Sequence, residues 1–182
     1  MNKIIAIAGM PGSGKTEAAD HLVKKGFLYV RLGQLTLDEI KKRGLEPTEK
    51  NEKIIRESFR KKYGMAAFAI LNFPKIDNLL KKGGVDVDGL NSWEEYIDFK
   101  KRYGKIFFVI AIYASPKTRY KRLGKQRLDK DPDMRRRHFS RKDAESRDSA
   151  EIKNLNKGGP IAMADFTIVN EDSLSKLKID IE

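Results

Sequence analysis

"GMPGSGKT", residues 9–16, follows directly on the apolar run "KIIAIA" at 3–8, and its reading governs the rest of the chain. Gly9, Gly14, Lys15 and Thr16 stand at the spacing of a phosphate-binding loop, with Met10, Pro11, Gly12 and Ser13 between them. Glycines in such a loop let several backbone N–H groups converge on an anion with no Cβ in the way. The lysine then reaches the β- and γ-phosphates of a nucleotide, and the threonine hydroxyl completes a Mg²⁺ shell. The context agrees with the letters: "KIIAIA" reads as a buried strand, and "KTEAADHLVKKG" reads as a helix closed by Gly26 at its C′ position. Strand, loop and helix N-terminus in that order make an anion site. The cofactors expected from it are ATP and Mg²⁺.

The 182 residues, 40% of them hydrophobic, suffice for one compact domain and fall short of two of ordinary size, so 1–182 reads as a single domain. The chain has no cysteine and only two histidines, His21 and His138, which excludes thiolate zinc sites and histidine-rich metal clusters. Any metal is then Mg²⁺ arriving with nucleotide. The longest apolar run, "FFVIAIYA" at 107–114, is far too short to cross a bilayer, and the N-terminal run breaks into the loop instead of a cleavage site. A soluble, cytoplasmic protein with no membrane partner is the expectation; nothing in the sequence signals an oligomeric state. The net charge of +12 is concentrated between Ser115 and Lys142, where twelve Lys or Arg face three Asp. Such a segment has three readings: a solvated face, a patch for a polyanion such as RNA, or arginines that close over nucleotide phosphates. Only one aromatic residue, Tyr120, stands among the arginines from 115 to 137, which argues against a stacking platform for single strands.

Five strand-like runs alternate with helical ones: "IIAIA", "FLYV" at 27–30, "VDVDGL" at 85–90, "FFVIAIYA", and "DFTIVN" at 165–170. That alternation predicts an α/β fold, a parallel sheet with helices on both faces. Helix starts are marked by Thr36 with Glu39, by Ser92 with Glu95, and by Ser115 followed by Pro116. Between the second and third strands, residues 36–82 read as separate helices broken at Gly44, Pro47, Gly64 and Pro74. The basic segment lies between the fourth and fifth strands and runs to "NKGG" at 156–159.

The third strand ends in "VDVDGL", so Gly89 follows Asp88 where a hydrolytic ATPase often carries a water-orienting Glu. Phosphoryl transfer to a phosphate acceptor needs no strong base, because catalysis reduces to positioning and charge neutralisation. Asp88 can hold Mg²⁺ through a water, contact the acceptor, or cap the next turn.

On "GMPGSGKTEAA", "LGQL", "VDVDGLNSWEE", "YASPKTRYKRL" and "MADFTIVNEDSL", essentially the whole chain resembles the nucleoside monophosphate kinases of the adenylate kinase group, especially the small archaeal adenylate-kinase-related proteins, with dephospho-CoA kinase as a near cousin. The resemblance implies a P-loop NTPase fold with five parallel strands in the order 2-3-1-4-5. It also implies an acceptor-binding helical region at 36–82 and a lid at 124–150. The activity it implies is transfer of the ATP γ-phosphoryl to a nucleotide-type acceptor, AMP or another nucleoside monophosphate first among them. Dephospho-CoA kinase is the alternative, with Asp88 as base. An ATP-binding switch associated with RNA or a ribonucleoprotein is the alternative of another class.

Carried over by position, Lys15 neutralises the transferred phosphoryl and Thr16 ligates Mg²⁺. Arg119, Arg122 and Arg127 lie near the donor base or phosphates, Arg137, Arg141 and Arg147 belong to the lid, and Asn170 contacts adenine. The catalytic set so implied is Lys15, Arg122, Arg141 and Arg147. In a helix starting near Ser140, Asp143 and Arg147 share a face, so an ion pair between them is the plainer reading of Arg147. The resemblance departs at Leu37 and Asn91, which stand where adenylate kinases commonly place arginines for the acceptor phosphate. Arg31, Arg56 and Arg60 are the substitutes, Arg60 the best placed.

Overall fold

The computed structural model describes residues 2–125 and 139–182. Five strands, β1 (Ile4–Ala8), β2 (Leu28–Arg31), β3 (Val85–Asp88), β4 (Phe107–Tyr113) and β5 (Phe166–Val169), form one sheet in the order β2-β3-β1-β4-β5, all neighbours parallel. This is the order and orientation expected. The central strand β1 is apolar on both faces because helices cover both. Ile4, Ala6 and Ala8 pack with Val85, Val87, Phe99 and Phe107 against α4 (Ala67–Leu80) and α5 (Trp93–Tyr103). Ile7 points the other way, into a cluster with Ala18, Ala19 and Leu22 of α1 (Lys15–Lys24) and Leu177 of α9 (Leu174–Ile181). Each such large side chain, fully buried, contributes about 1.5–3 kcal/mol. Phe99 stacks on Phe107 with centroids 5.1 Å apart, and Phe73 meets Phe99 edge-on at 5.2 Å.

Local signals set most helix ends. Ser92 Oγ accepts from Glu95 N at 3.1 Å while Glu95 Oε2 accepts from Ser92 N at 3.2 Å, the capping box read from the sequence. Ser115 caps α6 (Pro116–Leu123), with Pro116 at the first helical position, and Ser140 caps α7 (Arg141–Leu155). Gly26 follows α1 at φ 93°, as its C′ role requires.

Two expectations are corrected. Thr36 does not start a helix: α2 runs Gln34–Lys42 from Gly33, and Thr36 is buried in its first turn with its hydroxyl unpartnered. Pro74 does not break the segment between β2 and β3, which folds as α2, α3 (Glu49–Tyr63) and α4. It lies inside α4 with its ring exposed, while Phe73 and Ile76 on either side anchor that helix to α5 and the core. Packing there outweighs one missing N–H. The breaks at Gly44, Pro47 and Gly64 are real. No helix among the described residues is long and apolar enough to cross a membrane.

Candidate functional site

The loop from Gly9 to Gly14 opens at the C-terminal ends of β1, β3 and β4, where parallel α/β sheets bind ligands. Its shape is held from beneath. A Cβ on Gly9 (φ 147°) would meet Ile112 O at 2.4 Å, and one on Gly14 (φ 108°) would meet the Asn170 amide at 2.3 Å, so neither position admits a side chain. Met10 O accepts from Ser13 N at 3.1 Å and from Lys15 Nζ at 3.1 Å; Ser13 is fully buried. Pro11, Gly12, Gly14, Lys15 and Thr16 line a cleft of about 1530 Å³.

Beside the loop stands α6, with α7 packed against it. Arg122 reaches the cleft with Nη1 buried and unbonded. Arg147 also lines it, its Nε 2.9 Å from Glu151 Oε1 and its guanidinium over Phe139. The pair expected with Asp143 does not form; Asp143 accepts from the Ser140 hydroxyl that caps the helix, and Arg147 turns one helical turn onward instead.

Two further arginines are placed outside the expected contacts. Arg119 is buried under the loop, its side chain 5% exposed. Nη1 and Nη2 clasp Asp148 at 2.9 and 2.6 Å, Nε donates to Ala114 O, and Nη1 also donates to Pro11 O at 3.2 Å. Its donors are committed to α7 and the loop backbone, so it supports the phosphate site without facing it. Arg141 is 82% exposed, pairs with Glu145, and stands outside the residues lining the cleft. Arg127 and Arg137, with residues 126–138 of the expected lid, lie outside the described residues.

Asn170, expected at the adenine, lines the cleft at the end of β5. Its amide donates to Ser13 O at 2.7 Å, tying the end of β5 to the loop. Replacing it with Ala leaves the buried Ser13 carbonyl without this donor, so a lowered melting temperature, on the scale of about 1–3 kcal/mol, and a nucleotide affinity weakened about tenfold are expected, as a titration beside a melting curve will read.

The far wall comes from β2, α2, α3 and the turn after β3. Arg31, Arg56, Arg60, Asp88 and Asn91 all line the cleft. Arg56 is held by Glu49 and Glu52. Arg60 lies over Phe68 with Nε buried and unbonded, and burial holds its basicity below the ordinary arginine value. Asp88 accepts from Tyr29 OH at 2.8 Å. The Asn91 backbone N–H goes to Glu95, whose carboxyl burial pushes up to about 7 against those hydrogen bonds and the Arg60 charge. Thr16 and Asp88 offer oxygens to a metal ion that would draw its other ligands from nucleotide and water. No cluster of three or more His, Cys, Asp or Glu among the described residues makes a metal site of its own.

Burial, and then the charge of Lys157, lower Lys15 to about 7, against the opposing pull of Glu151 and Asp88. Glu151 and Lys157 carry no sequence motif: Glu151 shares a face with Arg147 four residues earlier, whereas Lys157 lies past the end of α7 and is brought back only by the turn at Asn156. The electrostatics predict proton uptake. Bound phosphates would restore the charge that burial disfavours, so binding of a nucleotide triphosphate should take up protons and weaken as pH rises above 7. Calorimetry at pH 8 in two buffers of different ionisation enthalpy will show the uptake, and Lys15→Met will abolish it.

A phosphate loop on a parallel sheet in this order, facing arginines across a cleft, defines a P-loop protein of kinase-like fold. The chain belongs to the AAA domain family AAA_18, whose model matches residues 5–154, and to the archaeal UPF0200 proteins. It is 39% identical over 181 residues to the UPF0200 protein of Pyrococcus abyssi, covering 98% of this chain and 93% of that one. The UPF0200/UPF0201 protein of Archaeoglobus fulgidus is 34% identical over 97% of this chain, which spans only 54% of that longer relative. Among solved structures, a gluconokinase from Sinorhizobium meliloti superposes with a TM-score of 0.57 at 11% identity, covering 98% of this chain and 89% of that one. A shikimate kinase from Acinetobacter baumannii matches with a TM-score of 0.57 at 16% identity, covering 100% and 91%. At such identities the likeness concerns the fold.

Proposed function

We propose that this protein is an ATP-dependent phosphotransferase that moves the γ-phosphoryl of ATP to a nucleotide-type acceptor, with AMP or another nucleoside monophosphate first in line. The observation that carries this reading is one cleft in which Lys15 and Thr16 face two buried guanidinium nitrogens without hydrogen-bond partners, Arg122 Nη1 and Arg60 Nε. Buried donors left unbonded are costly unless a ligand satisfies them, and two anionic groups would do so. In this scheme Lys15 and Arg122 act on the donor phosphates, Arg147 joins them once freed from Glu151, and Arg60 holds the acceptor phosphate with Arg31 and Arg56 beside it. Mg²⁺, held by Thr16 and Asp88 with the nucleotide, would neutralise charge on the transferred group. A phosphate acceptor brings its own nucleophilic oxygen, so the chain need only align and neutralise.

A hydroxyl acceptor is the second reading, favoured by Asp88, whose carboxylate reaches the cleft and is fixed by Tyr29. Dephospho-CoA is then the acceptor to test, with Asp88 as the base. The deciding experiment is ADP formation from Mg–ATP with a panel of acceptors: nucleoside monophosphates, dephospho-CoA, gluconate and shikimate. We expect stimulation by a nucleoside monophosphate. ADP formation that no acceptor stimulates, with RNA bound at physiological salt undisturbed by ATP, would replace the kinase by an RNA-associated ATP switch.

A further inference from the structure

The α7 helix ends at Leu155, Asn156 adopts the left-handed conformation at φ 50°, and the chain turns so that the next residue folds back on the helix. Lys157 is therefore only 2% exposed, and its ammonium meets the Glu151 carboxylate. The same carboxylate accepts from Arg147 Nε at 2.9 Å. Glu151, Lys157, Arg147 and Lys15 all line the phosphate cleft, and Lys157 is near enough to Lys15 for its charge to depress it. Three cations thus converge beside a phosphate loop around one buried carboxylate. Stability alone does not account for this arrangement, since a buried ion pair rarely outperforms apolar packing of equal volume.

We propose that Lys157 is a second phosphate-binding lysine, and that Glu151 is a resident anion which holds Lys157 and Arg147 in place until the polyphosphate of a nucleotide displaces it. The carboxylate pre-positions both cations, so they are aimed at the cleft before ligand arrives. It also competes with the ligand for them. Burial alone would push Glu151 up; Lys157 and Arg147 outweigh that and hold it near 2, so it is an anion at any working pH. Of the proposed function, only the phosphate-binding part is needed here.

The competition gives the two residues opposite signs. Inorganic tripolyphosphate and ATP, titrated calorimetrically onto the full chain with no acceptor present, should bind Lys157→Gln about 10- to 100-fold more weakly. Glu151→Gln, which keeps the shape and removes the competing charge, should bind both several-fold more tightly than the parent. Melting temperatures recorded alongside separate binding from folding. Should Lys157→Gln fail to fold around an unpaired carboxylate, the double variant Lys157→Gln/Glu151→Gln removes both charges and should still bind tripolyphosphate more weakly than Glu151→Gln alone. A merely structural pair lowers the melting temperature in both single variants and leaves anion affinity unchanged, or lowers it in both; either result overturns the proposal. Because neither probe requires turnover, absence of phosphoryl transfer would count against the kinase reading and leave this result standing.

Discussion

Lys15→Ala will abolish measurable phosphoryl transfer while the protein keeps its fold. The ammonium is the cation that the loop itself presents to the β- and γ-phosphates, and in this chemistry charge neutralisation accounts for most of the rate. A loss of about 10²–10³-fold or more is the scale for removing one such preorganised group. The fold should tolerate the change, because burying this ammonium is unfavourable: its basicity is depressed to about 7, and among the described residues it donates only to Met10 O. An unchanged or slightly raised melting temperature is therefore expected beside the lost activity. Turnover equal to the parent would end the kinase reading.

Asp148→Ala will cost about 3–5 kcal/mol of stability, the scale for leaving one member of a buried ion pair uncompensated. The two parallel bonds from Arg119 and a third from Tyr120 OH all end on this carboxylate, and Arg119 is also bound to the loop at Pro11 O. Denaturant unfolding should register the loss, and Arg119→Met should register one of similar size. Had Arg119 faced the phosphates, as its position in "RYKRL" suggests, its removal would leave stability nearly untouched and weaken ATP binding instead. The two measurements separate the roles.

The legible part of this molecule is the part written in short-range code. The loop announces itself through eight consecutive residues, the caps at Ser92, Ser115 and Ser140 through three- to five-residue patterns, and the strands through apolar runs that only a doubly covered sheet explains. With these in place the strand order follows the family resemblance. What escaped depends on partners distant in sequence. Arg119 and Asp148 are 29 residues apart, and nothing in either neighbourhood marks them as a pair. Arg147 had an acid four residues away on each side, Asp143 and Glu151, and periodicity puts both on its face; Ser140 claims the first as part of a helix cap, leaving the second. Thr36 carries the letters of a cap, yet the chain after β2 is already helical at Gln34, which buries the hydroxyl. Pro74 reads as a breaker only while the aromatic contacts of Phe73 with Phe99 and Tyr103, which pack α4 onto α5, are out of view.

The hydrogen bond from Asn170 to Ser13 O joins positions 157 residues apart, and the family model, which ends at residue 154, does not reach it. It makes the first motif in the chain one of the last to be finished. A nascent chain can form β1, the loop and α1 early, but the loop lacks its clasp until β5 has docked against β4. Partly folded molecules should therefore hold a phosphate ligand less well than the complete fold. The phosphate loop is thereby coupled to the last strand of the sheet, so its final shape depends on the whole sheet having assembled.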